Sequence, residues 1–399
     1  GYGEGEDAAN VRDHRQGGSG RRTEAGVRVT MTGKTVITAL LLTYVKGTRM
    51  GEAALLERQD NVSVGPEATS RHWEVGRVET PAGRVPRVAT RWTRRDRLGA
   101  VAVRWNIGRR NYTVEPGLYA VGCPTAESPL LATANYKLSF DTLREALDGL
   151  DAWILVLDTQ GINVWCAAGK GTFGTEELVQ RMAVTAVARV VSHATVLLPQ
   201  LAGPGVASHE VRRRTGFQVV YGPVRASDLA AFLRDGRRAT PAMRRVRFTL
   251  RDRLAVVPVE IVQRFVPALL IMLAFSLAVG VGRHGYRLAV TQWPGIAVAV
   301  WTNFLAGIVL TPALLPWLPG RSFALKGAEV GVATGALLWL FGRHGVMEGI
   351  AVGLLSVAAC SFLGLMFTGS TPYTSASGVR REMRWAMPLQ VMAAAAGLV

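Results

Sequence analysis

One stretch of the chain, residues 161–174, combines a cysteine, a lysine and several small residues in the order GINVWCAAGKGTFG. It follows an apolar run, residues 153–157, that is typical of a buried strand. It precedes a predicted helix start, in which Thr175 would be the N-cap ahead of two acidic residues. We therefore expect Cys166 at the carboxyl end of a strand, where open α/β sheets bind their ligands.

A short helix over residues 164–170 would place Cys166 and Lys170 four residues apart on one face. A neighbouring ammonium lowers the pKa of a thiol, and the thiolate is the form that ligates metals. Four residues with little or no side chain follow the cysteine and leave room for a large, flat group to approach the backbone: Ala167, Ala168, Gly169 and Gly171.

Two other interpretations of this stretch compete with a ligand site. Free cysteine is among the most buried residue types, so an inert core thiol beside a tryptophan is the alternative to a ligand. A Walker A phosphate loop is excluded, because Val164 stands where its first glycine should be and Gly171 where its hydroxyl residue should be.

Residues 163–170, Asn-Val-Trp-Cys-Ala-Ala-Gly-Lys, resemble the signature of the corrinoid protein of mercury-methylating anaerobes. That family is related to the large subunit of the corrinoid iron–sulfur protein of acetyl-CoA synthesis. The resemblance covers the chain from roughly residue 90 to its end. Four further stretches carry it: residues 103–108, 115–119, 134–141 and 368–375.

The resemblance implies a cobalamin-type corrinoid, bound base-off, with Cys166 as the lower axial ligand of its cobalt. It also implies that the rest of the motif holds the ring from below: Asn163, Val164, Trp165, Ala167, Ala168, Gly169 and Lys170. Two later loops follow predicted strands and would share the same crevice. Their candidate contacts are Gln200, Gly203, Gly205 and Gly222, for which cofactor binding and simple turn formation are equally open.

By this resemblance the chain would be a membrane-anchored methyltransferase, passing a methyl group from a methylated folate, or a methyl donor protein, through cobalt to mercury(II). A ferredoxin-like partner with two four-iron clusters would supply electrons and mercury, because this chain has no cysteine cluster for an intrinsic iron–sulfur centre. Cys123 departs from the family pattern and would be either a chance substitution, which is favoured, or a second soft ligand for mercury. Two alternatives stay open: a corrinoid methyl carrier for another acceptor, in acetyl-CoA metabolism or a metalloid, and a non-enzymatic transporter or scaffold.

The composition divides the chain of 399 residues into a soluble and an apolar part. The formal net charge of +17 comes mainly from arginines before residue 256, which indicates a domain beside an anionic membrane leaflet. No nucleic-acid module is recognisable, so we expect no nucleic acid partner. Three cysteines give no disulfide framework, and a reducing compartment is expected.

We predict an α/β Rossmann-like corrinoid-binding domain over residues 86–255, followed by an all-α, multi-span transmembrane domain over residues 256–399. Residues 1–85 are interpreted as an uncertain, largely disordered N-terminal extension. The chain starts at Gly1 and stops within an apolar run, so both natural ends are uncertain and the last span would be truncated. Strand alternating with helix favours a mainly parallel, doubly wound sheet.

The predicted strands cover residues 101–105, 118–121, 153–157, 195–198 and 217–221, with an edge strand at 246–250. The predicted helices of this domain cover residues 140–150, 175–190, 207–215 and 228–234.

Five membrane spans are predicted, at residues 265–282, 294–318, 327–341, 346–368 and 385–399. The arginine-rich connections share a side with the segment before the first span. The positive-inside rule therefore predicts a multi-pass protein of the cytoplasmic (inner) membrane, with its soluble domain in the cytoplasm. Glu329 and Glu348 lie near span ends, where a structural role at the interface is expected.

Overall fold

The computed structural model describes residues 71–280, 285–342 and 345–398. Most of the predicted N-terminal extension, residues 1–70, lies outside these ranges, so its predicted disorder stays a prediction. The predicted sheet domain starts earlier than residue 86, because a strand already begins at Glu74.

The described residues form a sheet whose strands are β1 (Glu74–Thr80), β2 (Gly83–Val88), β3 (Gly117–Val121), β4 (Leu130–Ala134), β5 (Ala152–Leu157), β6 (Thr195–Leu198) and β7 (Gln218–Tyr221). The helices of this part are α1 (Arg94–Arg104), α2 (Lys137–Ala146), α3 (Val164–Lys170), α4 (Thr175–Val184), α5 (Ser208–Thr215) and α6 (Leu229–Arg234). The later helices are α7 (Leu250–Leu254), α8 (Val257–Gly280), α9 (Gly285–Leu305), α10 (Thr311–Leu314), α11 (Phe323–Gly342), α12 (Val346–Met366) and α13 (Ala376–Gly397).

The strand order in the sheet is β1-β2-β3-β5-β4-β6-β7. Strands β4 to β7 are mutually parallel, as predicted, and their carboxyl ends share one edge. Strand β3 runs antiparallel to β5, with Leu118 opposite Leu155. The sheet is therefore mixed, with a parallel half that carries the cysteine loop.

Helices cover both faces of the sheet, which confirms the predicted doubly wound arrangement. On one face Leu155 and Leu157 pack with residues of α3, α4 and α5. On the other, Ile154 and Val156 pack with residues of α2 and α6. This alternation within β5 buries every one of its side chains, which explains its continuous apolar sequence.

Several local predictions were wrong. Residues 101–104 belong to helix α1 and Trp105 is its C-cap, because Thr93 and Asp96 form a capping box that starts a helix before this short apolar run. Thr175 is the first residue of α4 rather than its N-cap, and α4 ends at Val184 rather than 190. Residues 246–250 form no strand; Thr249 and Asp252 instead cap α7.

Three strands, β1, β2 and β4, were not predicted. Strand β4 (Leu130–Ala134) is buried along its whole length, so it lacks the polar alternation that marks a half-exposed strand. It lies between β5 and β6 and completes the parallel half of the sheet.

Four helical segments in the described residues are long and apolar enough to cross a membrane: Leu250–Ala278, Val290–Leu314, Phe323–Gly342 and Val346–Ser370. The predicted fifth span corresponds to α13, which is not among them. Its first half carries Arg380, Arg381, Glu382 and Arg384, whose charges are costly in hydrocarbon. Glu382 instead caps α11, accepting a hydrogen bond from the backbone N–H of Ala324 at 2.6 Å.

Glu348 has the structural role predicted for it, because its carboxylate accepts a hydrogen bond from Gly345 N–H at the start of α12. A stretch of π-helix, Ala306–Leu310, separates α9 from α10.

Candidate functional site

The loop between β5 and α3 is organised by a residue of the neighbouring strand. Asn135, 6% exposed, follows β4 directly. Its side-chain oxygen accepts hydrogen bonds from Thr159 N–H at 3.1 Å, the Thr159 hydroxyl at 2.8 Å and Gly161 N–H at 2.9 Å. Its amide nitrogen donates to Asp158 at 3.1 Å. One buried amide thus fixes the chain just before the cysteine helix.

Helix α3 spans Val164–Lys170, which is the range of the short helix that would place Cys166 and Lys170 on one face. The side chain of Asn163 is the N-cap and accepts a hydrogen bond from Cys166 N–H at 2.9 Å. Ala167 and Ala168 are buried against the sheet core. The helix ends at Gly171, whose φ of 86° is a left-handed conformation that glycine adopts without strain.

Cys166 is half-buried and free. Among the described residues its thiol has no hydrogen-bond partner. It lies on the first turn of α3, directly after the carboxyl end of β5, as predicted. Lys170 is exposed one helical turn further on. A soft donor with a free lone pair is therefore available at the edge where the parallel strands end.

The loop after β6 packs directly on the cysteine helix. A Cβ added at Gly205 would lie 2.2 Å from the carbonyl oxygen of Phe173 and 3.0 Å from the Cα of Ala168. Gly205 thus allows the loop to contact the helix, because a side chain at this position would clash with Phe173 and Ala168. Thr175 ties the same loop to α4, because its hydroxyl accepts a hydrogen bond from Ala207 N–H at 2.9 Å.

Gln200 and Gly222 lie at the same edge, but both are engaged within the protein. Arg244 donates a hydrogen bond of 2.6 Å to the side-chain oxygen of Gln200. Gly222 is buried and its N–H donates to Leu198 O at 2.8 Å, which joins the ends of β7 and β6. Gly203 is exposed. The structure thus brings Gly205 against the cysteine helix, and the turn Gln200–Ala202 also contacts this helix.

Cys123 lies at the opposite edge of the sheet. It follows β3, and Val121 at the end of β3 pairs with Ala152 at the start of β5. Cys166 comes after the other end of β5, so about 16 Å of strand separates the two ends at 3.3 Å per residue. Cys123 cannot share a ligand site with Cys166, which removes the second-ligand interpretation.

The residues of α3 leave space for a flat group beside Cys166. A Cβ added at Gly169 or at Gly171 would meet nothing within 4 Å, so the backbone beside Cys166 is open on that side. Trp165 and Val164 are half-buried, and Val164 packs on the core. In the described residues no group of three or more histidine, cysteine and acidic side chains could hold a metal ion. The thiol of Cys166 is therefore not part of a cluster of such groups among the described residues.

Comparison with known proteins shows that this region is similar to subunits of carbon monoxide and acetyl-CoA enzymes. Residues 104–233 match the model of the CO dehydrogenase/acetyl-CoA synthase delta subunit. The chain is similar to the acetyl-CoA decarbonylase/synthase complex subunit gamma of Methanocaldococcus jannaschii, with 33% identity over 129 residues, 32% of this chain and 26% of the relative. The corresponding subunit of Methanopyrus kandleri is 32% identical over 127 residues, 31% of this chain and 27% of the relative.

The gamma subunit of Archaeoglobus fulgidus is 28% identical over 141 residues, 34% of this chain and 30% of the relative. The matched part thus spans between a quarter and a third of these relatives' length. The family model ends at residue 233, before the apolar helices begin.

These comparisons correct the family predicted from the cysteine motif. The matching model and the relatives are named for acetyl-CoA chemistry and not for mercury methylation. The resemblance to a mercury-methylating protein, and mercury(II) as acceptor, are therefore wrong. The eight motif residues form a short helix and its N-cap. They therefore define a local backbone geometry and do not specify a methyl acceptor.

Proposed function

We propose that the α/β part of the chain holds a corrinoid at the carboxyl edge of β4 to β7, with Cys166 as the lower axial ligand of its cobalt. One observation carries this proposal. A half-buried, unpaired thiol lies at the start of a capped helix, on the edge where α/β sheets bind ligands. Thiolate is a soft ligand suited to a transition metal.

Each residue of the motif then has a definable task. Asn163 holds the backbone of Cys166 through its cap, and Asn135 holds the loop that precedes it. With a corrinoid bound, Trp165 would pack beneath the ring, and Gly169 would let the ring approach the helix backbone. Lys170 offers a positive charge to the thiolate from the same helix face.

The function that follows is a methyl carrier of acetyl-CoA metabolism. When bound, a corrinoid supplies a cobalt ion that can accept a methyl group and release it. The similarity of residues 104–233 to subunits named for acetyl-CoA decarbonylase/synthase supports this acceptor chemistry. A methylated folate or a donor protein would supply the methyl group, and a ferredoxin-like protein with two four-iron clusters would supply electrons.

We further propose that the chain is a multi-pass protein of the cytoplasmic membrane. Its four long apolar helices support this, as do exposed apolar side chains such as Leu270 and Leu340, 54% and 71% exposed. If these helices span, the exposed Arg321 and Arg380 lie on the side of α7. The positive-inside rule then places the α/β domain in the cytoplasm.

The test of the corrinoid site compares the full-length chain, purified in detergent and loaded with cobalamin, with two variants. Cys166→Ala removes the proposed ligand, and Cys123→Ser is the matched control at the opposite sheet edge. We expect a base-off cobalt(II) paramagnetic spectrum perturbed by sulfur in the wild type and in Cys123→Ser, and its loss in Cys166→Ala. Identical spectra in all three proteins, or no retained cobalamin in the wild type, would refute the site.

A second measurement addresses the acceptor. Wild-type chain carrying an isotopically labelled methyl group is mixed with acetyl-CoA synthase, carbon monoxide and coenzyme A. Labelled acetyl-CoA is the expected product. If the chain shows the sulfur-perturbed spectrum but forms no labelled acetyl-CoA, the proposed corrinoid site stands and the proposed acceptor is refuted.

A further inference from the structure

Helix α1 (Arg94–Arg104) turns an apolar stripe away from the protein. Its inner face is buried through Asp96, Ala100 and Val103, which are 0–2% exposed. On the opposite face Leu98 and Val101 are 70% and 54% exposed. Trp105, at the C-cap, continues the stripe with 44% of its surface exposed, followed by Ile107 with 68%. The spacing of three and four residues places Leu98, Val101 and Trp105 in one row.

Arginines flank this apolar row. Arg94, Arg95 and Arg97 are exposed, and Arg104 is half-buried. The one acidic residue within α1, Asp96, is buried in ion pairs with Lys137 and Arg144 and does not offset them. The outer face of α1 is thus apolar at its centre, basic at its flanks and free of exposed carboxylates.

This face adjoins the start of the first candidate span. Arg104 lines an open groove of about 710 Å³ together with Leu250, Arg251, Leu254 and Ala255. Those four residues belong to α7 and the turn after it, which begin the apolar segment Leu250–Ala278. Helix α1 also packs against α8. The row of Leu98, Val101 and Trp105 therefore lies beside the point where the chain would enter a membrane.

We propose that the outer face of α1 lies in the headgroup region of the same membrane and contacts anionic phospholipid. A helix with an apolar face and basic flanks binds such a surface through acyl-chain burial and attraction of its arginines to phosphates. Tryptophan is the residue type enriched at this depth. The groove between Arg104 and Arg251 has the charge for one phosphate, and Leu250 and Leu254 are apolar neighbours for its chains. The inference rests on the proposed membrane insertion but not on the corrinoid.

The contact has a consequence for the cysteine site. The segment after α1 reaches the loop that precedes α3, because a Cβ added at Gly161 would lie 2.9 Å from the side chain of Thr113 and 3.5 Å from Arg110 O. A membrane-bound α1 would thus hold the α/β domain in a defined orientation, with this loop near the lipid surface.

The test uses nitroxide labels on the full-length chain in bilayers of phosphatidylglycerol and phosphatidylcholine. Cys123→Ser and Cys166→Ala remove the accessible thiols, while Cys360 is fully buried. One label is placed by Val101→Cys. Val184→Cys, 68% exposed on α4, is the control in water, and Leu269→Cys on α8 is the control in the span. Power saturation compares collisions with oxygen, which concentrates in lipid, and with a water-soluble nickel chelate.

We expect an oxygen-to-chelate ratio at residue 101 several-fold above that at 184 and close to that at 269. Removing phosphatidylglycerol should lower the ratio at 101 and leave it unchanged at 269.

The inference would be overturned, and the proposed spans retained, if the ratio at residue 101 equalled that at 184 while the ratio at 269 remained high. A label at residue 101 that is shielded from both oxygen and chelate would indicate a protein contact and would also overturn the inference. An unchanged ratio at 101 after removal of phosphatidylglycerol would overturn it as well. Chelate access at 269 would refute membrane insertion itself. The corrinoid proposal is tested separately by the cobalt spectra.

Discussion

At the scale of single residues, the cysteine motif is a small helix held in place by contacts from outside it. Asn163 caps the helix, but Asn135 of the neighbouring strand orders the loop before it. Gly205 of a third loop permits the helix to sit against the sheet. The thiol of Cys166 is therefore positioned by residues from three strand ends.

Gly205→Ala should disturb this position. The new Cβ would lie 2.2 Å from Phe173 O, so the loop or α3 must shift. We expect a loss of about 1–3 kcal/mol in stability, as for other overpacked sites, and a weaker sulfur perturbation of the cobalt spectrum. Thermal unfolding and cobalt(II) paramagnetic spectra of the full-length chain measure the two effects.

The matched control is Gly169→Ala, within α3 itself. A Cβ there meets nothing within 4 Å, and alanine favours a helix over glycine by about 1 kcal/mol. Its stability should equal or exceed that of the wild type. Equal stability of both variants would show that the contact at Gly205 is unimportant.

At the scale of elements, a buried ion cluster joins α1 to α2. Lys137 Nζ lies 2.9 Å from Asp96 and 2.6 Å from Asp141. Arg144 Nη2 lies 3.0 Å from Asp96, and its Nε lies 2.8 Å from Asp141. His72 adds a contact of 2.8 Å to Asp96. The carboxylates and cations balance, so removing one leaves an uncompensated buried charge.

Asp96→Asn should therefore destabilise the α/β domain by about 3–5 kcal/mol at neutral pH. Thermal unfolding measures the change. The control is Asp235→Asn, at an exposed position after α6, where a near-neutral effect is expected. A loss no larger than in the control would show that the cluster is dispensable.

The same residue predicts sensitivity to acid. Burial by itself raises the pKa of Asp96, but hydrogen bonds from Lys137, Thr93 and His72 outweigh it and hold the pKa well below its ordinary value. The ordinary pKa of about 3.9 applies to the unfolded chain, so the contribution is complete above that pH and falls as pH decreases below it. The stability of the wild type should thus fall more steeply below about pH 4 than that of Asp96→Asn.

At the scale of the whole molecule, a sheet covered by helices on both faces is followed by helices that expose apolar side chains. Such exposure is unfavourable in water and favourable in hydrocarbon. Leu270 on α8 and Val184 on α4 are both apolar and exposed, at 54% and 68%, but belong to different parts of the chain. Substitutions at these two positions therefore distinguish a lipid-facing surface from a water-facing one.

Leu270→Asp should impair membrane insertion, because an aspartate near the centre of a span costs about 2.5–3.5 kcal/mol. Val184→Asp should insert as the wild type does. The fraction of chain that resists alkaline extraction from membranes measures this. Equal extraction of the two variants would argue that α8 does not span.

The local features of the site could be predicted from the sequence. The apolar run of β5 is a short-range signal, and it located the cysteine stretch correctly at the carboxyl end of a strand. The cap at Asn163 and the glycine after Lys170 are equally local signals, but the prediction did not use them. The apolar helices were predictable in the same way, although the helix at the predicted fifth span begins at Ala376 and so includes arginines that the prediction placed in the preceding connection. The short apolar run at residues 101–105 was ambiguous between strand and helix, and the capping box at Thr93 decides it.

Only the tertiary structure decided which distant residues meet. Strand β4 enters between β5 and β6, and this brings Asn135 beneath the cysteine loop. The antiparallel β3 carries Cys123 to the far edge. These pairings join residues far apart in the chain, and local propensity carries no information about them. The sequence by itself determined the motif and the elements that bear it; the fold decided its neighbours, because strand order depends on burial across the whole sheet.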